Sequence, residues 1–312
     1  MKRKKRVKLS KDDIYLFDYL FRHRVASGKM IYRDIFNKYK NSEVARIRLS
    51  RLRKAGYIRG KYFSSASRDM CYGLTSAIAK EFINSSMTAY IWKGTNSPGH
   101  DIDLIDIWKS LRKRSMISYI LTEHEYNVRD GSKTEGVRML LGELRPDGYV
   151  EIEMGENKFI AALEYERSPK TKARYFEMID RYYRNKEIKA VLYVSDKEHV
   201  DKLVKKTELE YRTRSQEPKF FYALKRDITN SETIHFSSVG KNEYSIEMKY
   251  SDTDSDTKVT DSVSNATMQS LENIRETILT KNFGQNPSTP MCTDFNTKNQ
   301  ITKNETGGQY GH

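Results

Sequence analysis

The 312-residue chain has little cysteine and no long hydrophobic run. Its two cysteines, Cys71 and Cys292, lie far apart and form no Cys-x-x-Cys pair. A disulfide framework and a cysteine-rich zinc site are therefore excluded. No apolar run is longer than about five residues, whereas a membrane-spanning helix needs roughly 20, so we expect no such helix.

The sequence also lacks the marks of a secreted or ATP-binding protein. The basic start, MKRKKR, is followed by Lys11, Asp12 and Asp13 in the region where a signal peptide needs an apolar core. No Gly-x-x-x-x-Gly-Lys-Ser/Thr motif occurs, so nothing indicates ATP binding. A reducing cytoplasm is the expected location.

Positive charge is concentrated at the amino-terminal end of the chain. Residues 1–60 contain 19 lysines and arginines against five acidic residues, a net charge of +14, and the whole chain carries the same net charge. Because a localised basic segment attracts polyanions, this distribution predicts contact with nucleic acid or with an anionic membrane. We favour nucleic acid, since no amphipathic face rich in tryptophan and leucine accompanies the basic residues.

Residues 10–60 show the apolar periodicity of three helices. The helices are predicted over 12–22, around 30–36 and from 42 to 55, and two short strands, 57–59 and 70–74, follow around a polar loop. This order resembles a winged helix-turn-helix, with residues 49–58 as the end of the recognition helix and the first wing strand.

The winged-helix resemblance implies DNA binding, because a recognition helix needs a basic outer face to reach phosphates and base edges. A solvated amphipathic helix is the alternative. The candidate DNA-binding residues are Arg46, Arg48, Arg51, Arg53, Lys54 and Arg68.

The composition divides the chain into four parts. We expect a basic arm and winged helix over residues 1–89, a linker over 90–100, a second domain over 101–250 and a disordered tail over 251–312. The tail is rich in serine, threonine, asparagine and aspartate and has few large apolar side chains. Burial of so little apolar surface would not offset the entropy of ordering it.

The second domain begins with a helix, a three-strand meander, a helix and a strand, and a further helix and strand finish it. The helices are predicted over 101–113, 169–185 and 197–206, and the strands over 116–126, 145–154, 158–166, 189–195 and 219–224. The third strand is apolar along most of its length, as a strand buried on both faces would be.

Carboxylates cluster where the second and third strands of this domain meet. Asp147 stands at the start of the second strand, and Glu164 and Glu166 share one face at the end of the third, because strand side chains alternate. A hairpin turn at residues 155–157 brings Asp147 opposite them. Such a cluster is costly without a cation, and carboxylate oxygens suit Mg²⁺ or Mn²⁺. A metal site is predicted, with solvated strand-end charges as the alternative.

The order of elements and the acidic motifs of the chain resemble those of a known family. The order of elements, with Pro146-Asp147 on the second strand and Glu164-Tyr165-Glu166 on the third, is similar to the PD-(D/E)XK nuclease fold. Together with the winged helix and His100-Asp101 at a helix start, the chain resembles the replication-relaxation family, which includes plasmid mobilisation relaxases, over about residues 10–225.

The family resemblance implies a fold class and a set of site residues. The fold would be α+β, a winged helix-turn-helix followed by a restriction-endonuclease-like αβββαβ domain. Asp147 and Glu164 would be ligands of Mg²⁺ or Mn²⁺, and an upstream acid, Glu123 or Glu125, would complete the shell. The nuclease motif expects lysine where this chain has Glu166, so Lys170 or Lys172 would have to supply the positive charge.

The weaker candidates are a histidine and three tyrosines. His100 could belong to the site or simply lie at a helix start. Tyr175, Tyr182 and Tyr183 fit a packing stripe better than a nucleophile. No two of the six histidines lie within three residues of each other, so the histidine cluster of tyrosine relaxases is absent.

Two functions remain open from the sequence. The first is a DNA-processing enzyme that nicks or relaxes plasmid or mobile-element DNA at an origin-like site with Mg²⁺. The second is a non-catalytic replication initiator or transcriptional regulator with a degenerate nuclease-like core. Double-stranded DNA is the expected partner in both, other mobilisation or replication proteins could join it, and no membrane contact is expected.

Overall fold

The computed structural model of the chain describes residues 7–63, 69–76, 78, 98–128, 144–155, 157–213, 216–240 and 244–250. Four sequence predictions fall outside these ranges: the basic arm over residues 1–6, the wing loop that carries Arg68, most of the linker, and the tail over 251–312. Among the described residues, no helix is long and apolar enough to cross a membrane.

The described residues between 7 and 78 form what we call the amino-terminal module, in which helices accompany a small antiparallel sheet. Its elements are α1 (Lys11–His23), β1 (Ala26–Ser27), α2 (Gly28–Asp34), α3 (Ser42–Ala55), β2 (Ile58–Tyr62) and β3 (Met70–Leu74). The strands lie in the order β1-β3-β2, and β2 pairs with β3 as the sequence predicts. The two-residue β1 was not predicted, because so short a strand has no period of its own.

A single aspartate both starts α1 and attaches it to α3. Asp13 accepts a hydrogen bond from the backbone N–H of Ser10 at 2.6 Å, and the Ser10 hydroxyl accepts one from the Asp13 N–H, which completes a capping box. The same carboxylate pairs with the guanidinium of Arg48 on α3. Leu16 and Leu20, at helical spacing from Asp13, are buried in the core of the module.

Residues 98–250 form the sheet module, which contains a seven-stranded sheet. Its elements are α4 (Pro98–Arg112), β4 (Ile117–Thr122), α5 (Glu123–Val128), β5 (Gly148–Met154), β6 (Asn157–Glu166), α6 (Lys172–Arg184), β7 (Ala190–Ser195), α7 (Glu198–Tyr211), β8 (Phe220–Leu224), α8 (Lys225–Asn230), β9 (Thr233–Ser237) and β10 (Ser245–Lys249). The strand order is β10-β9-β8-β7-β6-β5-β4. The fold class is thus mixed α+β.

The middle of the sheet is parallel and its two sides are antiparallel. β4, β5 and β6 form the predicted meander, β6, β7 and β8 run parallel, and β8, β9 and β10 alternate again. Side chains of α4 and α8 pack on one face of the sheet, and those of α6 and α7 pack on the other. Because helices pack on both faces of the sheet, both faces of the central strand β6 are covered, which explains its apolar sequence.

Several predicted boundaries differ from the observed ones for local reasons. β4 ends at Thr122 rather than near residue 126, because Thr122 and Glu125 form a capping box that starts α5. α4 begins at Pro98, so the last residues of the predicted linker are helical. α6 begins at Lys172, since the Thr171 hydroxyl caps it.

The carboxyl-terminal part of the sheet module is larger than predicted. α7 continues to Tyr211, beyond the predicted end at residue 206. The sequence did not predict this last turn, because its buried residues Thr207 and Glu208 are polar and interrupt the apolar pattern. Tyr183 and Tyr222 donate hydrogen bonds to the buried Glu208 carboxyl. The hairpin of β9 and β10 was not predicted, although both strands alternate buried and exposed residues.

Candidate active site

The acidic edge, which we define as Asp147, Glu164 and Glu166, lies where β5 begins and β6 ends. The pairing of Gly148 with Leu163 places Asp147 beside Glu164, as the sequence predicts. The Asp147 carboxylate accepts a hydrogen bond from the backbone N–H of Tyr165 at 2.7 Å. This bond fixes the carboxylate against the end of β6.

Gly148 allows Asp147 to take this position. A Cβ atom at residue 148 would lie 2.6 Å from the carbonyl oxygen of Leu121 and 2.7 Å from the ring of Trp108. Any larger residue would push β5 away from β4 and from α4. The absence of a side chain at Gly148 therefore permits the close approach that sets the position of the Asp147 carboxylate.

Glu164 has an unusual protonation equilibrium. Its surroundings are densely packed, and this burial, reinforced by the negative charge of Asp147, raises the pKa of Glu164 well above its ordinary value. The hydroxyl of Tyr182 on α6 donates a hydrogen bond to the Glu164 carboxyl at 2.5 Å, which opposes the rise. Tyr182 was predicted as a packing residue; it is buried and it also contacts the site.

Glu166 has a cationic partner, and it is Lys170. The Lys170 ammonium lies 2.6 Å from the buried Glu166 carboxylate, and its charge also acts on Glu164. Lys172, the other candidate, pairs instead with Glu210 on α7. The structure thus brings Lys170 to the acidic edge and places Lys172 on a different ion pair.

His100 lies on the first turn of α4 and faces the acidic edge. Its Nε2 atom is 3.4 Å from the Asp147 carboxylate and 3.1 Å from the carbonyl oxygen of Tyr165, and its Nδ1 atom is 3.5 Å from Asp101. Burial alone would lower the pKa of His100, but the hydrogen bonds and charges of Asp101 and Asp147 raise it to about 10. His100 is therefore an imidazolium at neutral pH and balances part of the charge of Asp147.

The two upstream acids have other partners. Glu125 belongs to the capping box at the start of α5. Glu123 pairs with Arg24, whose guanidinium nitrogen lies 2.7 Å from its carboxylate. Within the described ranges, no group of three or more His, Cys, Asp or Glu side chains is arranged to hold a metal ion.

Arg24 comes from the amino-terminal module and joins it to the sheet module. It ends α1 with a φ of 61°, a region that is costly for a residue with a side chain. Its Nε atom donates to Nδ1 of His124 at 3.3 Å. With Asp101, Glu123 and Asp147, these residues line a cavity of about 30 Å³ between the end of α1 and the sheet.

Asp147 and Glu164 suit one kind of metal site. Mg²⁺ in phosphate chemistry is commonly held by one or two carboxylates, with waters and substrate phosphates as the remaining ligands. Burial is the main cause of the raised pKa of Glu164, and a cation between the two carboxylates would relieve the repulsion by Asp147 that adds to it. The pair therefore fits an Mg²⁺ or Mn²⁺ ion that is shared with a phosphate group.

The predicted DNA-binding residues do not share one environment. Arg46, Arg51, Arg53 and Lys54 are exposed on α3, and Arg46 pairs with Glu43 one turn away. Arg48 points towards α1, where it pairs with Asp13 and also donates to the carbonyl oxygen of Lys8. We therefore remove Arg48 from the set proposed to contact DNA and assign it to the packing of the module.

Comparison with known families matches the chain to one family model. The model described as replication-relaxation covers residues 17–190, which is more than half of the chain. The matched part extends from α1 into β7 and includes Arg24, His100, Asp147, Glu164 and Lys170. No match was found among curated proteins or among solved structures.

Proposed function

Because the chain belongs to the replication-relaxation family, we propose that it binds duplex DNA and nicks or relaxes plasmid or mobile-element DNA at an origin-like site. The observation that carries this proposal is the juxtaposition of Asp147 and Glu164 at one end of the sheet. The order of elements around them, a helix, a meander, a helix and a parallel strand, supports a PD-(D/E)XK nuclease-like domain.

The amino-terminal module would dock on the DNA as a winged helix. Three helices followed by the β2–β3 hairpin support this arrangement, and the excess positive charge of the chain lies in the same segment. Arg51 and Lys54 on the exposed side of α3, together with Arg46 and Arg53, would contact phosphates. These contacts position the protein on DNA and make its affinity sensitive to salt.

The acidic edge would carry out the chemistry. Asp147 and Glu164 would hold Mg²⁺ or Mn²⁺, whose contribution is to neutralise charge on the phosphodiester and to acidify water. His100 keeps Asp147 in place through its positive charge. Glu164 must release its proton before it can act as a ligand, so its raised pKa predicts metal binding that strengthens as the pH rises.

Lys170 is the best candidate for the cation that the nuclease motif expects. The motif position itself is occupied by Glu166, and the Lys170 ammonium lies next to that carboxylate. An ammonium at this point is suited to stabilise the negative charge that develops on a phosphate in the transition state. Because Lys172 pairs with Glu210, we give it no such role.

Metal-dependent stabilisation and DNA nicking together test the proposal. We expect Mg²⁺ or Mn²⁺ to raise the Tm of the full chain, and we expect the protein to relax a supercoiled plasmid that carries DNA sites selected with the same protein. Asp147→Asn and Glu164→Gln should each remove both effects and leave DNA affinity unchanged. Glu210→Gln, which removes a carboxylate from the ion pair with Lys172, is the matched control and should keep both.

A non-catalytic initiator or regulator is the second candidate. It is favoured by Glu166, which replaces the motif lysine, and by Arg24, which already pairs with an upstream acid. A wild-type protein that binds DNA tightly, gains no stability from either cation and releases no relaxed circles would overturn the enzyme proposal and support this one.

A further inference from the structure

Helix α3 exposes two large aliphatic side chains near its beginning. Val44 is 45% exposed and Ile47 is 42% exposed, one turn apart on the same side of the helix. The other aliphatic residues of α3, among them Leu49 and Leu52, are buried in the core of the module. Packing of the module therefore does not require apolar residues at positions 44 and 47.

The surroundings of these two side chains are mainly basic, and the neighbouring Glu43 is paired with Arg46. Arg51 and Lys54 continue the same side of α3 at the next helical spacings, so Val44, Ile47, Arg51 and Lys54 form what we call the outer stripe. Arg46 and Arg53 lie on one flank of the stripe and line a groove between α3 and the β2–β3 hairpin. A surface of this composition is complementary to a polyanion that also presents apolar groups.

The attachment of α3 leaves the outer stripe accessible. Arg48 pairs with Asp13 on the opposite flank, and the side chain of Asn41 caps the start of the helix. With 14 residues, α3 is about 21 Å long, and its width suits the major groove of B-DNA, which is about 12 Å across.

We propose that Val44 and Ile47 read the methyl groups of thymine in the major groove of the DNA target. In that groove thymine alone among the four bases presents an apolar group, its C5-methyl, so aliphatic side chains that face base edges select T·A pairs. Arg51 and Lys54, further along the outer stripe, bind the adjacent phosphates. This inference rests on the DNA binding proposed above and is independent of nicking.

Replacement of thymine by deoxyuridine tests the inference, because it removes only the methyl group. Duplexes that bind the full chain most tightly are first selected from a random pool, and each thymine in the selected site is then replaced in turn. We expect affinity to fall about fourfold at one or two thymines, which is the factor expected for loss of one buried methyl-sized group.

Variants of the stripe then assign the contact to a side chain. Val44→Ala or Ile47→Ala should abolish the discrimination at its own thymine, and neither should change the salt dependence of binding, because no charge is altered. Ile14→Ala is the matched control, since Ile14 is 44% exposed on α1, and it should keep the full discrimination.

The possible failures are distinguishable. A wild-type protein that selects no duplex contradicts the proposed DNA binding itself. A protein that binds selected duplexes with equal affinity for thymine and deoxyuridine overturns the methyl readout and leaves the DNA binding intact. Discrimination that persists in both stripe variants would also overturn it, because other residues would then read the base.

Discussion

Arg51 and Lys54 on α3 lie exposed to solvent, whereas Glu166 is buried and Glu164 is densely surrounded at the end of β6. Charges of the first kind act on a distant polyanion through their number. Charges of the second kind each depend on one specific partner, Tyr182 for Glu164 and Lys170 for Glu166. The difference predicts that a single substitution changes DNA affinity only gradually on the basic surface, whereas a single substitution at the acidic edge changes a specific pairing.

The largest expected effect is on the pH dependence of stability at Glu164. The carboxyl has an ordinary pKa of 4.5 when exposed, and its pKa is raised in the folded protein. Above pH 4.5 the unfolded chain releases a proton that the folded chain still holds, so the wild type loses stability as the pH rises towards the folded pKa. Glu164→Gln should lack this loss. Its free energy of unfolding should therefore rise relative to that of the wild type by up to about 1.4 kcal/mol per pH unit.

Denaturant unfolding of both proteins at a series of pH values, with a chelator present, measures this effect. The relevant quantity is the difference between the two free energies of unfolding, because groups remote from position 164 titrate equally in both proteins. If the free energies of unfolding of wild type and variant changed in parallel with pH, Glu164 would titrate normally. The acidic edge would then not differ from the basic surface in this respect.

The next effect separates Lys170 from Lys172. Lys170→Met leaves the buried Glu166 carboxylate without its counter-charge, and we expect a loss of about 2 kcal/mol, below the usual range for a buried pair because Lys170 is partly exposed. Lys172→Met removes a partner from the exposed Glu210, so its cost should be below about 0.5 kcal/mol.

Chemical denaturation at neutral pH compares the two lysine variants. The double variant Glu166→Gln with Lys170→Met should recover part of the loss, since it no longer buries an unpaired charge. Equal stability of the two single variants would show that burial does not distinguish these ion pairs.

The smallest effect concerns the basic residues of α3. Arg51→Ala should reduce the slope of log affinity against log salt concentration by about one and weaken DNA binding only several-fold. Arg48→Ala should keep the slope but lower the Tm, because it leaves the fully buried Asp13 without its guanidinium. Both variants are measured for DNA affinity over a range of salt concentrations and for Tm. A change of the salt slope in Arg48→Ala would contradict the assignment of Arg48 to packing.

Local rules predicted much of the sheet module. The period of two placed Glu164 and Glu166 on one side of β6, and their contacts with α6 and Lys170 agree with that. Counting back from the hairpin turn placed Asp147 beside Glu164. Both inferences depend only on neighbouring strands, whose geometry is nearly the same in all proteins.

Contacts between distant parts of the chain were not predictable in the same way. The pairing of Arg24 with Glu123 depends on how α1 meets the end of β4, and no period in the sequence encodes that meeting. The structural role of Glu125 could have been predicted from the sequence, because Thr122-x-x-Glu125 has the pattern of a capping box at the start of a helix. Tyr182 had the spacing of a packing residue, and only the structure shows that its hydroxyl contacts Glu164.

The position of Arg24 between the two modules also affects how a fragment without the amino-terminal module would behave in a metal titration. A fragment cut between the two modules would retain Glu123, Asp101 and Asp147 around their cavity but would lose the guanidinium that the amino-terminal module contributes. Asp101 and Asp147 would keep His100 beside them, whereas Glu123 would lose its ion pair with Arg24, and the local negative charge would attract added cations. Metal titrations of such a fragment could report cations at a place that Arg24 covers in the intact chain, so the proposed Mg²⁺ or Mn²⁺ site should be tested on the full chain.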